Sequence, residues 1–69
     1  MKTFKEVYNQ TMDEVKKAYG NDLEKEEFIN EFELDFMALN EIYCIDFEKI
    51  EKEFFNKINW DETYQEYKG

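Results

Sequence analysis

The feature that most constrains this chain is a set of large apolar side chains repeated at helical spacing, with almost nothing to interrupt it. Phe28, Phe32, Phe36 and Leu39 succeed one another three or four residues apart, which places them on one face of a helix. Proline and serine are absent, and glycine occurs only at Gly20 and Gly69. No segment alternates apolar and polar residues as a half-buried strand does, and no Asn-Gly or Asp-Gly hairpin signal is present. The expected fold class is all-α: a small three-helix bundle with a short fourth C-terminal helix, over about 4–19, 22–41, 47–58 and 60–67.

The helix ends carry local signals. Thr3 and Glu6 fit a capping box, Phe4, Val7, Tyr8, Met12, Val15 and Tyr19 form one stripe behind it, and Gly20 suits the exit. Asn21-Asp22-Leu23-Glu24 reads as the next cap, with Asn21 as N-cap and Glu24 three residues in. The stripe of helix two adds Ile29 and Tyr43 to the four residues above. Helix three uses Phe47, Ile50, Phe54 and Ile58. If it continued past Asn59, Trp60, Tyr64 and Tyr67 would point away from its core stripe, so a break at Asn59 is expected.

The chain of 69 residues reads as one domain, 1–69. A domain this small buries only about 60% of the surface its unfolded form exposes, and such domains are commonly supported by staples. A single cysteine, Cys44, excludes an internal disulfide, and the absence of histidine excludes the usual zinc sites. Aromatic content of 19% is the remaining resource for a core, and Cys44 between Tyr43 and Ile45 reads as a small core residue. No secretory signal opens the chain and no apolar run is long enough to span a membrane, so a cytoplasmic location is expected.

Charge is placed unevenly. Residues 1–20 carry four lysines against three acids, whereas residues 21–69 carry five lysines against fifteen acids. Such a surface repels nucleic acid and anionic lipid and attracts basic partners. Residues with AT-rich codons (Phe, Tyr, Met, Ile, Asn, Lys) supply 35 of the 69 positions, and Gly, Ala, Arg and Pro supply four. That bias points to a low-GC bacterium, or a phage or mobile element living in one, and explains the missing arginine without selection.

Helix two has a second face. Leu23, Leu34 and Met37 lie roughly opposite its main stripe, with Asn30 among them. Glu24, Glu27, Glu31 and Asp35 form a ridge along one border, and Glu26 and Glu33 lie on the other. Two readings stay open: a central helix buried on both sides, or a partner-binding face with an apolar centre and a charged rim. Burial by Trp60, Tyr64 and Tyr67 would decide for the first. Carboxylates at successive turns also resemble a row of backbone phosphates, although a solvated acidic face that keeps the protein soluble is the plainer account.

No pattern marks a catalytic or metal site, and no cofactor is implied. Histidine and serine are absent, no glycine-rich phosphate loop occurs, and neither 22–33 nor 46–57 has the spacing of a calcium loop. The expectation is a non-enzymatic acidic inhibitor, encoded by a phage or mobile element, acting in the host cytoplasm without contacting nucleic acid itself. It would block the groove of a basic nucleic-acid-binding protein, as anti-CRISPR and anti-restriction inhibitors do. Glu24, Glu27, Glu31 and Asp35 would imitate phosphates, Leu34 and Met37 would anchor the contact, and Glu48, Glu51 and Glu53 of helix three would extend it. The alternative is a helical interaction module, a homodimer or an antitoxin or bacteriocin-immunity type, binding through the apolar strip.

Overall fold

A computed structural model describes residues 3–43 and 47–69, the side chains of Phe47, Ile50, Glu51, Glu53 and Phe55 excepted. Those residues are all-helical, with no strand among them: α1 (Phe4–Tyr19), α2 (Lys25–Ile42), α3 (Phe47–Lys57) and α4 (Trp60–Lys68). The expected contributions of Phe47 and Ile50 to the core stripe, and of Cys44, lie outside the described residues.

Local chemistry sets three of the ends. The Glu6 N–H donates to Thr3 Oγ1 at 3.2 Å while the Thr3 N–H donates to Glu6 Oε1 at 3.3 Å, so two otherwise unbonded donors are satisfied reciprocally. Gly20 leaves α1 at φ 63°, a region open to glycine without steric cost, and its N–H reaches the Lys16 carbonyl at 2.8 Å. Asn59 Oδ1 accepts from the N–H groups of Asp61 and Glu62 at 3.1 and 3.3 Å, which starts α4 directly after α3 ends.

The start of α2 departs from expectation. Its N-cap is Glu24, not Asn21, and the helix begins at Lys25 instead of residue 22. The reason is tertiary. The Leu23 N–H donates to Tyr67 Oη at 3.0 Å, and Tyr64 Oη donates to the Leu23 carbonyl at 2.9 Å. Lys68 Nζ adds a bond to the Asn21 carbonyl at 2.6 Å. With its backbone engaged by α4, the 21–23 segment is a non-helical connection that opens in a turn. Leu23 accordingly packs on the core and does not join the outer face of α2.

The core is a continuous stack of rings along α2. Phe28 stacks on Tyr67 with centroids 4.6 Å apart, and Phe36 meets Phe54 at 4.4 Å. Trp60 stands edge-on to Phe32 at 5.7 Å and to Phe54 at 5.6 Å, the favourable quadrupole arrangement. From α1, Phe4 reaches Phe36 at 5.6 Å and Tyr8 reaches Phe32 at 5.3 Å. Val7, Met12 and Val15 fill the space between, and the buried Thr11 returns its hydroxyl to the Val7 carbonyl at 2.7 Å. Tyr8 Oη bonds both Thr63 Oγ1 and Glu66 Oε2 at 2.9 Å, which ties α1 to α4; burial, ahead of the nearby acids, pushes this phenol up to about 12.

Two substitutions test this arrangement by urea unfolding followed by circular dichroism. Phe28→Ala removes a fully buried ring that meets Phe32, Trp60, Tyr64 and Tyr67, at a cost of about 3–5 kcal/mol, against a total of roughly 3–10 kcal/mol for a domain of this size; loss of the cooperative transition is expected. Tyr67→Phe keeps the ring and strips the Leu23 N–H of its acceptor, so a loss of about 1–2 kcal/mol with an intact transition is expected.

Candidate functional site

Because α2 turns Phe28, Phe32, Phe36 and Leu39 inward, residues half a turn away must face outward. Leu34 is 65% exposed, Met37 42% and Ile42 70%. The three aromatics that might have covered them do not. Trp60, Tyr64 and Tyr67 all pack on Phe28, on the opposite side of the helix. The outer strip of α2 is therefore open, and the alternative of a helix buried on both sides does not describe this chain. Ile42 is exposed as well, but five residues after Met37 it lies about 140° round the helix from it, on the side of Glu31 and Asp35, and does not belong to the strip.

Charge around the strip has one sign. Lys25 at the head of α2 is paired with Asp61 of α4, and no lysine occurs from residue 26 to residue 42. Glu26, Glu27 and Glu41 are exposed, and Glu33 is half-buried. A central apolar patch with a polar rim is the usual anatomy of a protein-binding surface.

The carboxylate ridge is not uniform along its length. Glu24 and Glu27 are exposed, although the Glu24 N–H also donates to Glu27 Oε1 at 3.4 Å as part of the cap. Glu31 is half-buried and accepts from Tyr19 Oη at 3.0 Å; this bond, with the Glu31 charge, raises the Tyr19 phenol. Asp35 is also half-buried, and its Oδ2 is sealed from solvent without a hydrogen-bond partner. Burial, then the neighbouring Glu14 carboxyl, then the Glu31 charge push the Asp35 carboxyl up to about 6. Thus one end of the ridge offers free charges and the other turns into the α1–α2 seam. On α3, Glu48 is exposed; Glu51 and Glu53 lie outside the described side chains.

At that seam is a recess of about 390 Å³ lined by Glu14, Val15, Tyr19, Glu31, Leu34 and Asp35, with Ala18 at its edge. Glu14 and Tyr19 were not expected to belong to the face. A signal was present: Glu14 is seven residues from Val7, which is fully buried, so it borders the core stripe of α1 and not its solvent side. Among the described residues no group of three or more acids or thiols is arranged to hold a metal ion. A second, wider cleft lies between the start of α1 and α4, floored by Phe4, Tyr8 and Ile58 and edged by Lys5, Lys57 and Glu62. Its charges are mixed, and the Tyr8 hydroxyl is already committed to Thr63 and Glu66.

Among the described residues no helix is long and apolar enough to cross a membrane. No protein-family model, curated protein or solved structure matches the chain.

The open strip makes a direct prediction. Leu34→Asp and Met37→Asp should each leave the helical content unchanged and shift stability by no more than about 0.5 kcal/mol, as surface substitutions do. Thermal melts that fell by tens of degrees would show the strip to be covered.

Proposed function

We propose that this protein is a non-enzymatic acidic inhibitor that binds a basic protein through the outer face of α2. In this reading the fold is a three-helix bundle closed by the short α4. The supporting observation is the pairing of exposed Leu34 and Met37 with a lysine-free acidic border on one rigid helix. The apolar residues act as anchors that exclude water, and Glu24, Glu26 and Glu27 form the rim that steers and orients a cationic partner. The partner is a nucleic-acid-binding protein, a nuclease or regulator of a low-GC host. The acidic row, repeating at about 5–6 Å, takes the place of phosphates in its groove. Glu31 and Asp35 contribute less than the exposed acids, because Tyr19 and the α1 seam already engage them. The codon bias supports a phage or mobile element as the source.

A second reading is favoured by the exposure of Leu34 and Met37 at the centre of the strip. In that reading the strip docks a second copy of the chain or a toxin-like partner, and charge is secondary.

Salt separates the two. Captured from a low-GC host lysate, a basic target should elute as salt rises through the range where the Debye length falls from about 10 Å to about 3 Å. The eluted protein should then lose nucleic-acid binding when this chain is added back. Glu27→Lys combined with Glu31→Lys, checked for retained helicity, should weaken capture about tenfold or more, equivalent to about 1.4 kcal/mol. Survival of inhibition in that variant would end the phosphate-mimic reading. A complex indifferent to salt, or a sedimenting dimer that Leu34→Asp converts to monomer, would favour the apolar interface.

A further inference from the structure

The recess between α1 and α2 contains acceptors without donors. Asp35 Oδ2 is sealed from water and has no partner, and the polar side chain set beside it is the Glu14 carboxyl. An ionised carboxylate only accepts hydrogen bonds, so two ionised carboxylates cannot satisfy one another. Glu31 is the third acid of the recess, and its bond from Tyr19 Oη occupies the one hydroxyl donor among the described lining residues. Among the described residues no lysine lines the recess, and none from α3 or α4 does. Among the described residues, the charged and titratable groups facing Asp35 are therefore Glu14 and Tyr19 from α1 and Glu31 from α2. One proton supplies what is missing. Held between Glu14 and Asp35 it turns one acceptor into a donor, satisfies the sealed oxygen and removes a like-charge contact across the seam.

We propose that Glu14 and Asp35 form a pH-sensitive clasp between α1 and α2, closed while they share a proton and loosened when both ionise. Leu34 lines the same recess, so the clasp sits at the edge of the open strip. Its consequence for partner binding rests on the reading above: ionisation adds a negative charge beside Leu34 and strengthens the grip on a cationic partner. The clasp itself does not rest on that reading, and its test uses the free protein.

The direction of the pH effect follows from proton counts. Folded, Asp35 keeps its proton to about pH 6; unfolded, it loses it near the ordinary carboxylate value of about 4. Between those limits the folded state binds more protons, so the clasp contributes fully below the unfolded value and its contribution is lost as pH rises through the folded one. Carbon-detected NMR titration should place the Asp35 carboxyl midpoint well above the ordinary carboxylate value of about 4, and Glu14→Gln should bring it down. An Asp35 midpoint at that ordinary value, or one unmoved by Glu14→Gln, overturns the pair. Thermal melts provide the second readout. Between about pH 5 and about pH 7 the wild-type Tm should fall more than that of Asp35→Asn, which mimics the protonated acid. Equal slopes for wild type and Asp35→Asn would show that no clasp exists. Loss of the clasp with retained partner binding, or the converse, separates this inference from the functional one.

Discussion

The ring stack along Phe28, Phe32 and Phe36 is the contact on which the rest of the molecule depends. These three residues of α2 are almost wholly buried, and α1, α3 and α4 each place an aromatic side chain against them. Small domains lack the volume to bury many aliphatic side chains, and this chain has no disulfide to compensate. Aromatic side chains bury about 150–250 Å² each, so a few of them accomplish what a larger core does elsewhere. The geometry of the stack also limits choice: once Trp60, Tyr64 and Tyr67 are drawn to Phe28, α4 lies on one side of α2 only.

That one-sidedness creates the candidate face. A helix with core contacts over half its circumference leaves the other half to solvent, and here that half holds Leu34 and Met37 among carboxylates. Singly exposed apolar residues are ordinary, but two side by side on one helix with no interspersed lysine form a surface with a definite chemical preference. Acidic repulsion within the face is tolerated where the charges are exposed, because water screens them. It is not tolerated at the α1 seam, where burial and the Glu14 charge act together on Asp35. The same row of acids thus behaves in two ways, according to whether solvent or another helix lies beside it.

Much of the fold was legible because it is encoded locally. The Thr3–Glu6 box, Gly20 and Asn59 act within three or four residues of themselves, and each sits where its spacing indicated. The Phe28–Leu39 stripe was equally clear, since periodicity alone fixes which side of a helix is apolar. The start of α2 was not legible. Asn21 has good capping chemistry, yet the backbone of Leu23 is held by tyrosines 44 and 41 residues away, and those bonds override the local preference. The Glu14–Asp35 contact was hidden for a related reason: Asp35 reads as one more acid on an acidic helix until α1 is packed against it.

By itself, the sequence determined that this chain is helical, where most caps fall, which face of each helix is apolar, and that its acidity is concentrated after Gly20. These are properties of single segments, set by steric preference, side-chain period and charge count. Only the tertiary structure decided which of the two apolar sides of α2 would be covered. It likewise decided which carboxylates of the ridge remain free and which are pressed together. Those outcomes depend on where α1 and α4 lie against α2, and that placement follows from ring packing and long-range hydrogen bonds between residues far apart in the chain.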